Sequence, residues 1–376
     1  MRKLLIMASL FPPQKNGGGP PVSIMNVVQA IKNDFEVYII SQNFEVGDSK
    51  PLPGIENGWN TFDFGKVFYC PYGKTSGKDI YPIIEEVQPD VIYQNSFFSH
   101  NHVIPVLKYK KKHKNVGVVI APRGEICENR FKQGYLKKSV YTKALKWLGY
   151  LKGVKYQATG NEELNDMVKY MGISAKDIYN INNFSYADNS QIKPITKEKG
   201  DLKLCYIARI QDTKNLLYGV ERLKNIKGNV TYDIYGPIEN REYYDKCFAV
   251  QLPENVKLNY CGSVDHEDVG KTVSKYHAYY MPTIGENYGH SIVEGMIHKR
   301  PIIISDTTPW NGINQANGGC ALPLSAPEKF EQAIEAFCDM EQAEYDEICN
   351  NAKAFIDSKL KIDEIIKQYV DCFNEV

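Results

Sequence analysis

The chain has 376 residues, 43% apolar and 24% charged, with 45 basic side chains balanced by 45 acidic ones. That is the make-up of a globular protein of about two domains, and it excludes a disordered or fibrous chain. No run approaches the ~18 uninterrupted apolar residues of a membrane span. Nine cysteines without a C-x-x-C pair read as scattered reduced thiols, with neither a disulfide framework nor a zinc pattern. A cytoplasmic protein is expected.

Met1 to Leu10 has too short an apolar run for a signal peptide, and Lys3 to Ala8 reads as a first strand. A Pro/Gly loop, Phe11 to Pro21, precedes a helix from Val22 to Lys32. Val37 to Ser41 reads as a strand, and Pro89 to Tyr93 opens another. Val116 to Ala121 is a wholly apolar strand ending in Pro122-Arg123-Gly124-Glu125. Tyr156 to Thr159 is a short strand, with a helix over Glu162 to Met171.

Residues 185–200 are polar and aperiodic and read as a linker. A second series follows: strand Lys203 to Ala208, helix Asn215 to Leu223, strand Thr231 to Tyr235, strand Val256 to Tyr260 and helix Val269 to Lys275. Tyr279 to Met281 ends the next strand, a helix runs from Gly289 to His298, and Ile302 to Ile304 forms a strand core. Helices close the chain. Regular β/α alternation in both halves predicts an α/β protein of two doubly wound parallel-sheet domains, with ligand in a cleft at the strand ends. The expected division is residues 1–188, joined by a terminal helix over 358–376, and residues 189–357.

Thr283-Ile-Gly-Glu286-Asn287-Tyr288-Gly289-His290-Ser291-Ile-Val-Glu294 is the most informative stretch. Glutamates eight apart are commonplace on solvated helices. Here, however, Glu294 lies among Ile292, Val293, Met296 and Ile297, and a carboxylate in apolar company is rarely left without a partner. Glu286 falls in the loop at a strand's carboxyl end, and the helix start near Gly289 offers free N–H groups suited to phosphate. Two acceptor side chains flanking a phosphate site suit a polyol joined to that phosphate, which means a nucleotide sugar. Arg209 and Lys214 follow a strand at the same edge, where they would neutralise a diphosphate.

Arg209-x4-Lys214, Tyr235-Gly236-Pro237, Gly262-Ser263-Val264, the run from Gly285 to Glu294 and Pro301 to Trp310 together resemble the retaining glycosyltransferases of family 4, with the GT-B fold. Asn95 to Ser99 and Ala121 to Glu125 are similar to bacterial capsule and O-antigen transferases of that family. The resemblance implies that Arg209 and Lys214 hold the donor diphosphate, Glu294 takes the ribose hydroxyls and Glu286 faces the donor sugar. It places Asn287, Tyr288, Gly289, His290 and Ser291 against sugar and phosphate, and Val264 against the base. Gly236 would permit close approach. Tyr288 stands where the family often has Phe, and Pro122-Arg123-Gly124-Glu125 where many members have a histidine.

The glycine loop containing Gly17, Gly18 and Gly19 lacks the third glycine of the dinucleotide fingerprint. It is expected at the cleft edge near donor phosphate or acceptor. Arg123 is expected to act in catalysis, with Glu125 and His100 on the acceptor side. No Asp-x-Asp follows a strand, so neither a metal nor another cofactor is expected. Front-face attack, with the leaving phosphate taking the acceptor's proton, is favoured over a Glu286 nucleophile.

Charge is uneven. Residues 1–190 hold 24 basic and 17 acidic side chains, and residues 101–155 hold 14 against 2. The stretch 108–155 therefore suits an anionic membrane surface on the inner face of the cytoplasmic membrane, matching a glycan or polyprenyl-diphosphate-linked acceptor. Nucleic acid fits less well, since net charge is zero and no recognition module appears. The expected activity is transfer from a nucleotide-diphosphate sugar, UDP before GDP-mannose, to a growing lipid-linked cell-surface glycan. A sugar-nucleotide epimerase or hydrolase on the same scaffold, or a non-catalytic binder, are the alternatives.

Overall fold

The computed structural model describes residues 1–14, 19–185, 194–265 and 268–376. They fall into two compact units, Met1–Phe184 with Ile362–Val376, and Ser185–Lys361. The first contains β1 (Arg2–Met7), α1 (Gly19–Ile31), β2 (Phe35–Gln42), β3 (Gly58–Phe62), β4 (Gly65–Cys70), α2 (Gly77–Val87), β5 (Val91–Asn95) and α3 (His100–Lys112). It continues with β6 (Gly117–Ala121), α4 (Glu128–Lys132), α5 (Tyr135–Trp147), β7 (Lys155–Ala158), α6 (Asn161–Asp166) and β8 (Ile178–Asn180). Its sheet runs β3-β4-β2-β1-β5-β6-β7-β8, parallel except for the antiparallel β3–β4 pair.

The second unit contains β9 (Asp201–Ile207), α7 (Leu216–Glu221), β10 (Asn229–Tyr235), α8 (Arg241–Phe248), β11 (Val256–Tyr260) and α9 (Val269–Val273). β12 (Ala278–Met281), α10 (His290–Ile297), β13 (Ile302–Ser305), β14 (Gly319–Leu322), α11 (Pro327–Asp339) and α12 (Gln342–Lys359) complete it. Its sheet, β11-β10-β9-β12-β13-β14, is parallel throughout. The chain then returns to the first unit as α13 (Ile362–Glu375). There the Arg2 guanidinium donates to the backbone oxygens of Phe373 (2.8 Å), Asn374 (2.9 Å) and Val376 (3.0 Å), a cation placed on the carbonyl end of a helix.

Parallel strands with both faces covered become continuous apolar runs. Every residue of β5, β6, β12 and β13 is buried accordingly. α13 shows the complementary helical pattern, burying Ile365, Tyr369, Cys372 and Phe373 on one face. Two parallel-sheet α/β units are thus what the alternation predicts. Among the described residues no helix is long and apolar enough to cross a membrane.

Several local readings change. α1 begins at Gly19, with Pro20 and Pro21 in its first turn, where a missing N–H costs nothing. The expected helix over 162–171 is α6 followed by a single π-helical turn, Met167–Met171. The expected linker is looser on paper than in space, since its last part is fastened to the second unit. Lys197 is buried and donates to the carbonyls of Glu198 (2.7 Å) and Cys338 (2.9 Å), while His277 Nε2 contacts the Thr196 carbonyl at 3.0 Å.

Gly236 follows β10 at φ +136°, and a Cβ there would lie 2.0 Å from the Ala208 carbonyl oxygen. The close approach that needs a glycine is therefore made by the neighbouring strand's own backbone. Gly236→Ala must distort that crossing and should cost about 2 kcal/mol or more of stability. A lowered urea midpoint with an unchanged slope would show it.

Candidate functional site

In the second unit the loops after β9, β12 and β13 are stitched together. Thr283 is fully buried, and its hydroxyl donates to the Thr213 carbonyl at 3.1 Å, which also accepts the Ile284 N–H at 3.1 Å. Asn215 Nδ2 donates to the Pro282 carbonyl (2.9 Å), and Thr307 Oγ1 donates to that of Thr283 (2.9 Å). This sewing brings the Lys214 ammonium onto the Glu286 carboxylate, with the two side chains only 17% and 13% exposed.

Arg209 does not join them. Its Nη1 donates to Glu239 Oε1 at 2.6 Å, with both side chains about one-third exposed. Glu239 was not anticipated from sequence. It reaches the edge because Ile210 and Ile238 form a bridge and the Glu239 N–H donates to the Ile210 carbonyl at 3.2 Å. Its signal was faint: an acid in the loop after the strand beside β9. A guanidinium carries five N–H donors and an ammonium three, and these two pairs use one of each. The edge thus presents two cations, each set in place by a carboxylate.

Gly289 caps α10 in the left-handed region (φ 75°), turning the chain so that the helix starts beside Glu286. The ring of His290 lies 4.7 Å from that of Tyr288, and its Nδ1 is 3.0 Å from Ser185 Oγ. Tyr288 packs edge-on against Trp310, whose indole N–H donates to the Tyr288 carbonyl. The Ser291 hydroxyl is 2.7 Å from that of Tyr279, so it is engaged inward with the sheet. Asn287 is exposed, and Val264 is half-buried against the core.

Glu294, one turn into α10, is 7% exposed among Ile292, Val293 and Met296. Burial pushes its carboxyl up to about 8, from an ordinary 4.5. Among the described residues no group of three or more His, Cys, Asp or Glu is placed to hold a metal ion.

In the first unit Gly17 and Gly18 lie outside the described residues, and Gly19 opens α1. The Arg123 guanidinium is turned into the protein, donating to Asn95 Oδ1 (2.9 Å), Asn183 Oδ1 (2.6 Å) and Tyr93 OH (2.8 Å). Glu125 accepts from Ser96 Oγ (2.7 Å) and from the N–H groups of Phe97 (2.6 Å) and Phe98 (3.2 Å), clamping the loop before α3. His100 is exposed, its ring edge-on to Tyr141 at 4.6 Å. The bonds of Arg123 and Glu125 fasten loops of the first unit.

Sequence reasoning also missed His102, a buried ring with Nδ1 2.8 Å from Ser9 Oγ and pushed down to about 4 by burial. It missed Glu163 as well, whose buried carboxylate accepts the Gly124 N–H (2.6 Å) and the Thr159 N–H (2.8 Å). A lone polar residue in a sequence carries no sign of such partners.

Residues 188–355 match the family model described as glycosyl transferases group 1. No curated protein sequence matches the chain. Among solved structures, a sucrose-phosphate synthase from Thermosynechococcus elongatus is 12% identical with a TM-score of 0.74, covering 100% of this chain and 99% of that one. WaaG, a glycosyltransferase involved in lipopolysaccharide biosynthesis, gives 12% identity and 0.70 over 98% and 99% of the two chains. Anabaena Alr3699/HepE, solved in complex with UDP and glucose, gives 13% and 0.68 over 100% of both. The fold is that of these GT-B structures, and the residues that match the glycosyl transferases group 1 model lie almost wholly in the second unit.

The buried carboxyl of Glu294 makes stability depend on pH. Below about 4.5 folded and unfolded states both hold the proton; between 4.5 and about 8 the folded state alone holds it. The contribution is therefore complete below 4.5, declines as pH rises through this window, and is lost above about 8. Glu294→Gln should flatten that slope in urea midpoints measured across pH 5 to 8.

Proposed function

We propose that the chain is a retaining, metal-independent glycosyltransferase of family 4 that moves a sugar from a UDP-sugar to a hydroxyl of a lipid-linked cell-surface glycan, in capsule or O-antigen assembly. The observation that carries the reading is the Lys214–Glu286 pair beside Arg209–Glu239 at the carboxyl edge of a parallel sheet, inside the domain that matches the family. The choice of UDP is supported by the Anabaena neighbour, whose structure holds UDP and glucose. The glycan acceptor is supported by the neighbour of lipopolysaccharide biosynthesis.

In this reading the diphosphate accepts bonds from Arg209 and Lys214, and Glu286 orients the sugar hydroxyls. The bond from the anomeric carbon to the diphosphate oxygen breaks, and its electron pair stays on the leaving phosphate. The two cations and the N–H groups at the start of α10 stabilise that growing charge. The acceptor oxygen bonds to the same face of the anomeric carbon, and its proton passes to the departing phosphate oxygen. Glu294 accepts from the ribose hydroxyls, and the acceptor is taken by the first unit.

A thermal-shift panel of UDP-, GDP- and ADP-sugars tests the donor, because a specific ligand raises Tm by mass action. UDP-sugars should give the largest rise, and no response to any nucleotide sugar would overturn the reading. Lys214→Ala and Arg209→Ala should each weaken donor binding roughly 10- to 100-fold, the worth of a charge-assisted bond, as read by titration calorimetry.

Glu286→Gln should lower kcat by at least ~100-fold without trapping a sugar on the protein. A glycosyl adduct in the mass spectrum would replace front-face attack by a covalent route.

A further inference from the structure

The basic stretch divides in the folded chain. On α3 two of the cations are held by the protein itself: Lys110 donates to the carbonyls of Lys114 (2.9 Å) and Val116 (2.6 Å), and Lys112 pairs with Glu85 at 2.8 Å. α5 is different. Its buried residues are only Thr142 and Leu145, while Leu136, Val140 and Trp147 are 77%, 66% and 87% exposed.

Spacings of four and seven put these three side chains on one stripe of the helix. Exposed Lys143 and Lys137 border it on either side, and Leu148, 47% exposed, follows at the C-terminal cap. Residues 129–161 hold eight basic side chains and no acidic one. Much of what this helix shows to solvent is apolar, and its apolar stripe runs between cations.

We propose that the outward face of α5 docks this protein on an anionic lipid bilayer, with Leu136, Val140 and Trp147 entering the headgroup–acyl boundary and Lys137 and Lys143 on the lipid phosphates. Charge selects the occupant. A second copy packed face to face would set the lysine rows of the two helices against each other. A nucleic acid would satisfy the lysines and leave Leu136 and Val140 in water. A bilayer surface supplies anionic groups and an apolar layer a few ångströms apart, and it accepts an indole at the boundary between them. The inference deepens the lipid-linked part of the proposed function, and it rests on that reading only for the reason to be at a membrane.

The test uses the full chain and vesicles of mixed phosphatidylglycerol and phosphatidylcholine, with phosphatidylcholine vesicles as the reference. Wild-type protein should co-sediment with the anionic vesicles, less so as salt is raised. Each of Lys137→Gln and Lys143→Gln should weaken binding about fivefold. The combined Leu136→Ser, Val140→Ser, Trp147→Ser variant should weaken it roughly a hundredfold. Lipid should also blue-shift the indole emission of the wild type, and Trp147→Phe should remove that shift although Trp59 and Trp310 remain.

Absence of binding to anionic vesicles at low salt would overturn the proposal. So would binding that the triple variant leaves unchanged, or a dimer in solution that the triple variant dissolves. The same variants tested for stabilisation by UDP-sugar keep the two claims apart. A chain that responds to donor and ignores vesicles retains the transferase reading and loses this one; a chain that binds vesicles and ignores every donor does the reverse.

Discussion

Thr283 stands at the end of a strand whose every residue is buried, and its bonds reach the loops on both sides. Its hydroxyl donates toward the loop after β9, and its carbonyl accepts from Ser305 at the end of β13 and Thr307 beyond it. In a parallel sheet the carboxyl ends of adjacent strands lie together whatever their distance along the chain. That constraint carries Lys214 to Glu286 across 72 residues and holds the pair mostly out of water. The left-handed Gly289 and the start of α10 beside it follow from the same edge.

The two units use their charged residues in different ways. Arg123 meets three neutral acceptors within the first unit and Glu125 meets one hydroxyl and two backbone N–H groups, so both serve to fasten loops. Lys214 and Arg209 instead meet carboxylates, which set the cations in place and leave most of their donors for other acceptors. Glu294 adds a buried carboxyl whose charged form gains from any donor that reaches it. The proposed contacts to a phosphate and a polyol therefore fall in the second unit.

Continuous apolar runs made most strands legible, because covering both faces of a parallel sheet removes the polar alternation. The β3–β4 hairpin was not legible: every residue of β3 is partly or fully exposed, so it carries neither an apolar run nor a clean alternation. α2 was hidden by Pro82 within it, since an internal proline reads as a break. It holds its start through Asp79, whose carboxylate accepts the Ser76 N–H at 3.2 Å. The basic stretch was legible as composition, but which lysines are held and which face solvent was not.

What the sequence by itself determined was local: strand–helix alternation, the turn at Gly289, the burial of Glu294 implied by its neighbours, and an excess of cations over residues 101–155. The tertiary structure alone decided the pairings. Glu286 meets Lys214, Arg209 meets Glu239, Gly236 answers to the Ala208 carbonyl, and Arg123 turns inward. Those are contacts between loops far apart in the chain, set by strand order in the sheet, and periodicity within one segment carries no information about which strands become neighbours.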